Sequence, residues 1–166
     1  MAKLGAVAAW SENYIEELTA ARALTKGDSG KVFLLNSTSL LAITLPVCSA
    51  NMIGVRYKFI VQTANDNKYT INTGDLTDST GDMYIGMLVL TAAQISSTTN
   101  GANGRSIVPA TNDSSIDLDG NLDDTGGEAG SWLTLTCVSA TQWFVEGVIF
   151  TGDADSDGTA LFVNAS

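Results

Sequence analysis

From Val55 to Thr63 the side chains alternate without a break. Val55, Tyr57, Phe59 and Val61 share one parity; Arg56, Lys58, Ile60 and Gln62 share the other. A helix would mix the two sets around its circumference, whereas a β-strand sends successive side chains to opposite faces and keeps them apart. The first set predicts a core face and the second an outer face carrying two cations, either solvated or set against an acidic neighbour. The alternation closes a longer stretch, Leu24–Thr63, that reads as three strands. Lys26-Gly27-Asp28-Ser29-Gly30 has the turn chemistry to precede them. Lys31–Asn36 is apolar on both faces through Val32, Phe33, Leu34 and Leu35, and Leu41, Ile43 and Leu45 alternate until Pro46 ends the run.

The same grammar continues. Tyr69 and Ile71 point inward from a strand over Lys68–Thr73. Tyr84–Thr91 is apolar throughout, with Ile85, Met87 and Val89 on one face and Leu88 and Leu90 on the other. A strand of that kind is central or lies at a subunit interface. Ser131–Val138 and Gln142–Phe150, separated by three residues, predict a hairpin. Residues 92–131 are irregular, with apolar islands at Ile107-Val108 and at Ile116 and Leu118 that predict one or two short strands. Thr159–Val163 predicts a further edge strand. No fixed-period repeat is present. The fold class expected is all-β, a single sandwich or barrel of jelly-roll-like kind over residues 24–166. Before it stands an N-terminal arm, residues 1–23, extended with at most a short helix where Trp10, Tyr14 and Leu18 recur at four-residue spacing.

Charge narrows the function. Residues 1–105 hold eight basic and eight acidic side chains; residues 106–166 hold ten acidic and none basic. That balance argues against nucleic acid and against an anionic membrane, since both need a basic footprint. Only 16% of residues are charged, which points to surface covered by other protein, or to a neutral Ser/Thr-rich surface. Lys3 is followed by a short Ala-rich run broken at Trp10, well short of a secretory apolar core.

Chemistry is sparse. With no histidine in the chain, Ser–His and Cys–His nucleophile pairs and histidine metal sites are excluded. Asp153, Asp155 and Asp157, followed by Gly158, imitate the first half of a calcium loop, but the twelfth position is Asn164 rather than Glu. They are weak metal candidates beside the plainer reading of an acidic turn. Asp117, Asp119, Asp123 and Asp124 form a second acidic cluster, with Gly120-Asn121 reading as a hairpin turn. Cys48 and Cys137 are too few for a disulfide scaffold, and Cys137 alternates with Leu133 and Leu135 toward the core; spacing leaves a bridge between them open. No enzyme activity and no cofactor are expected.

The segments LTKGDSGKVFLLN, ITLP and GVRYKFIVQT, followed by YTINT and closed by WLTLTCVSATQWFVEGV, resemble head decoration (cement) proteins of tailed bacteriophages. The resemblance covers roughly residues 18–91 and 131–150; residues 92–131 and 151–166 depart from it. It implies a non-enzymatic homotrimer, made in the host cytoplasm and carried on the outer capsid surface, where it staples major capsid subunits. On that reading Trp10, Tyr14, Ile15 and Leu18 of the arm are the expected capsid contacts, and Tyr84, Leu88 and Leu90 the expected subunit interface. The competing expectation is a receptor- or glycan-binding module of a phage head or tail fibre, with Trp132, Trp143 and Tyr84 stacking on sugar rings.

Overall fold

The strands that alternation predicts do form, and they divide between two sheets. The structure, a computed structural model, describes residues 14–77, 81–92, 104–120, 125–151 and 160–165. Its strands are β1 (Ile15–Leu18), β2 (Arg22–Ala23), β3 (Val32–Leu35), β4 (Leu41–Thr44), β5 (Arg56–Val61) and β6 (Tyr69–Asn72). They continue with β7 (Met83–Ala92), β8 (Arg105–Ile107), β9 (Ser115–Leu118), β10 (Trp132–Cys137), β11 (Gln142–Thr151) and β12 (Phe162–Val163). One sheet has the order β1-β3-β5-β10-β11-β7-β8, the other β12-β9-β6-β4-β2. The two pack as a sandwich, and among the described residues no closed barrel forms. Among the described residues there is no α-helix, and so no helix long and apolar enough to cross a membrane.

The first half winds. Odd strands enter the seven-stranded sheet and even strands the five-stranded one. Each therefore pairs in parallel with the strand two before it: β1 with β3, β3 with β5, β2 with β4, β4 with β6. Three rungs result, each a strand in one sheet, a crossing, and a strand in the other. The rungs are uneven: in-register partners step from Ile15 to Val32 to Lys58 in one sheet and from Arg22 to Ile43 to Ile71 in the other. Unequal crossings leave no fixed period in the sequence. The second half closes the wind with antiparallel strands, β10 on β5 and β9 on β6, and the hairpin β10–β11 forms where the sequence places it. The apolar islands become β8 and β9, and the tail strand β12 lies at a sheet edge.

The expected boundary after residue 23 moves. β1 and β2 are the first rung of the body rather than an arm beside it, and Leu18 is buried in the core. A charge cluster fixes this rung. Asp28, in the short 3-10 turn Lys26–Asp28, accepts from Arg22 Nη2 at 3.0 Å, Lys31 Nζ at 2.8 Å, and the Thr25 amide and hydroxyl at 3.0 and 2.9 Å. Glu16 of β1 pairs with the same Arg22 and, at 3.1 Å, with Lys31. Burial would raise the Asp28 carboxyl, but Lys31 and Thr25 outweigh it and bring it down to about 2.

Between the sheets lie Phe33 and Phe59, stacked at 5.5 Å, and Tyr57 against Trp143 at 5.7 Å. Leu35, Leu41, Ile43, Ile71, Leu88, Leu133 and Leu135 fill the remainder. Two tyrosine hydroxyls inside this layer find carbonyl acceptors, while the buried Trp143 Nε1 has none among the described residues. Tyr84 of β7 crosses from one sheet to donate its hydroxyl to the Ile71 carbonyl of the other at 3.0 Å, and Tyr57 donates to the Thr25 carbonyl at 2.8 Å. Gly86 is required within β7: its φ is +113°, and a Cβ there would stand 2.2 Å from the Val145 carbonyl oxygen of β11.

Candidate interaction surface

Parity in the seven-stranded sheet leaves one set of side chains pointing away from the core, and the ladders align them. Leu34 of β3, Ile60 of β5, Trp132 of β10, Val148 of β11 and Val89 of β7 are successive in-register partners. They make one apolar row across five strands, each residue half-buried. Beside this row, Met87 is 44% and Phe144 38% exposed, and Ile85 pairs with Phe144. Scattered exposed apolar residues are ordinary on a protein surface, but a contiguous band across a sheet is the feature that marks contact surfaces.

A basic groove adjoins the row. It has a volume of about 430 Å³ and is lined by Tyr14, Gly30, Lys31, Arg56, Lys58 and Thr134. Lys58 sets its ammonium over the Trp132 ring, Nζ 5.0 Å from the centroid, a cation–π contact. Arg56 reaches Glu146 at 3.3 Å across two exposed side chains, an interaction of small worth in water. The two cations of β5 therefore stand at the edge of an apolar band.

The structure redistributes the residues expected to make contacts. Tyr14 and Ile15 are exposed, 55% and 61%, at the head of edge strand β1. Leu18 has left the surface for the core, and Trp10 lies outside the described residues. Tyr84, Leu88 and Leu90 are not a subunit interface: all three are buried between the sheets of a single chain. The opposite face of the same strand, Ile85, Met87 and Val89, is the open one. Trp143 and Tyr84 are likewise core residues with no face to offer a sugar, which leaves Trp132 as the surviving member of the proposed stacking set.

Asp153, Asp155 and Asp157 lie outside the described residues, as do Asp123 and Asp124. Asp117 is tied to Lys68 at 2.6 Å and accepts from the Ser115 hydroxyl at 3.1 Å. Among the described residues no three acidic or cysteine side chains gather in a way that could hold a metal ion. The apolar row itself escaped sequence reading because its members belong to five strands. The information needed to assemble them was the register, and no single strand carries it. Compared with protein-family models, with curated proteins and with solved structures, the chain matches none.

Proposed function

We propose that this chain is a non-enzymatic structural protein of a bacteriophage virion: a decoration protein that seats the outer face of its seven-stranded sheet on the outer surface of the capsid. The observation that carries this reading is the in-register row Leu34–Ile60–Trp132–Val148–Val89 with the basic groove beside it. The sequence resemblance to phage cement proteins supplies the partner, the major capsid protein, and the homotrimeric state. An apolar centre flanked by charges is the anatomy of a protein contact, with the rim setting orientation and the centre supplying affinity. Many copies on a symmetric shell multiply a modest contact through avidity. The glycan-binding alternative has lost its buried aromatics, and no observation favours it.

The test is rebinding. Purified protein is added to undecorated capsids of the phage that encodes it, and bound protein is measured after sedimentation. The wild type should bind. The variant Met87→Lys/Phe144→Lys, altered at two exposed positions of the outer face, should keep its fold and bind at least tenfold more weakly. Wild-type protein that ignores the capsid, or a folded double variant that binds as well as the wild type, would refute the proposal.

A further inference from the structure

We propose that Cys48 and Cys137 are a modification site: in an oxidising medium they close to an intrachain disulfide that ties the two sheets together. Cys137 is the last residue of β10 in the seven-stranded sheet, and Cys48 lies in the connection that follows β4 of the five-stranded one. The chain between them includes five whole strands, β5 to β9, yet their sulfurs lie 3.5 Å apart, both thiols free and buried. A disulfide needs about 2.05 Å between sulfurs, so the two must approach by about 1.5 Å.

The backbone is already held for it. Gly54 N–H donates to the Cys137 carbonyl at 2.8 Å and Cys137 N–H to the Val55 carbonyl at 2.9 Å, while the turns Ser49–Met52 and Met52–Val55 brace the loop between. Cys48 N–H is anchored on Asp82 Oδ2 at 2.7 Å. A pair whose main chains are hydrogen-bonded in place and whose sulfurs lie this close loses little freedom on bonding in the native state, while the unfolded chain loses the freedom of a long loop.

The chemistry balances with a small disulfide such as oxidised glutathione. The thiolate of one cysteine attacks it and releases one reduced glutathione. The second cysteine, deprotonated, then attacks the mixed disulfide and releases the other. The two cysteines lose two protons and two electrons, and the glutathione sulfurs gain them. Burial, and after it the Asp82 carboxylate, push the Cys48 thiol well up, so exchange belongs to folding or to transient opening rather than to the closed native state. A chain kept in a reducing compartment stays a dithiol; one delivered to an oxidising medium closes. The inference does not depend on which partner the outer face binds.

The test refolds reduced, denatured protein in a glutathione buffer with the oxidised form in excess. The product is then unfolded, alkylated with iodoacetamide and weighed. The expected product has lost two hydrogens, takes up no alkyl group, and melts roughly 5–15 °C above the reduced protein. Cys48→Ala should abolish that rise while remaining folded. Two alkylated cysteines, a stable adduct with glutathione, or a bridged protein that melts no higher than the reduced one would overturn the proposal.

Discussion

Replacing Asp28 by Asn tests whether the first rung is held by charge. The carboxylate is 7% exposed and lies within 3.0 Å of both Arg22 and Lys31. Its pKa stands at about 2 where an unperturbed aspartate has 3.8. A displacement of one is worth about 1.4 kcal/mol. Because Arg22 and Lys31 are themselves part-exposed, water screens some of the gain, leaving about 2 kcal/mol at pH 7. For a chain of this length that is a fall in Tm of about 4–8 °C. The sign follows from linkage. A folded pKa below the unfolded one gives stability that is complete above about pH 4 and disappears as the pH falls through about 2. The deficit of Asp28→Asn should therefore be full at pH 7, smaller at pH 3, and nearly gone at pH 2. Asp82, whose carboxyl burial pushes up, drives stability the opposite way with pH, but it is common to both proteins and cancels in the difference. Urea unfolding followed by tryptophan fluorescence at each pH measures the deficit. A loss below about 0.5 kcal/mol at pH 7, or one of equal size at pH 7 and pH 2.5, would show that the turn is held by shape and not by its ion pairs.

Further substitutions and truncations probe other parts of the fold. Gly86→Ala should cost about 3 kcal/mol or more, since a Cβ would meet the Val145 carbonyl oxygen as well as a positive φ, whereas Gly30→Ala, at φ +88° with open space around it, should cost only about 1 kcal/mol; equal losses in chemical denaturation would remove the steric argument. Tyr84→Phe should lose about 1–2 kcal/mol by leaving the Ile71 carbonyl without its donor across the sandwich, and an unchanged midpoint would deny that bond a role. Deleting residues 1–13 should leave the sheets intact by circular dichroism, while deletion through Leu18 removes β1 and a buried leucine and should cost about 2–3 kcal/mol or more; equal stability of the two truncations would return β1 to the status of an arm.

Strand existence was legible wherever polarity alternated. Tyr57, Phe59 and Val61, Leu41 and Ile43, and Leu133, Leu135 and Cys137 all face the core as parity requires. The winding was not legible. In a solenoid with equal rungs the hydrophobic pattern repeats, but here the equivalent crossings β1 to β2, β3 to β4 and β5 to β6 differ in length from rung to rung, so no period survives. The first rung was hidden for a related reason. Ile15–Leu18 contributes one buried leucine, and its other structural commitments are polar: Glu16 to Lys31 and Arg22, and the parallel ladder to β3. Side-chain polarity reports neither a ladder nor a cluster of opposite charges from three segments.

The misassigned face of β7 shows where the missing information resides. Both of its faces are apolar, so parity alone cannot choose between Leu88 with Leu90 and Met87 with Val89. Its neighbour can. On β11, Trp143, Val145 and Ile149 oppose Gln142 and Glu146, so the polar positions mark the outer face. The parallel register places Glu146 opposite Met87 and Val145 opposite Gly86. Orientation passes through that ladder: Met87 must point outward with Glu146, and Leu88 inward. Once the inner face is assigned, the apolar character of the outer one is no longer explained by the core. Leu34, Ile60, Val148 and Val89 could be polar without disturbing the packing between the sheets, and polar residues at those positions would make an ordinary solvated face. That a strand with two apolar faces uses one of them for its own core leaves the other as the part of this fold that folding does not account for, and the place where a binding partner would leave its mark.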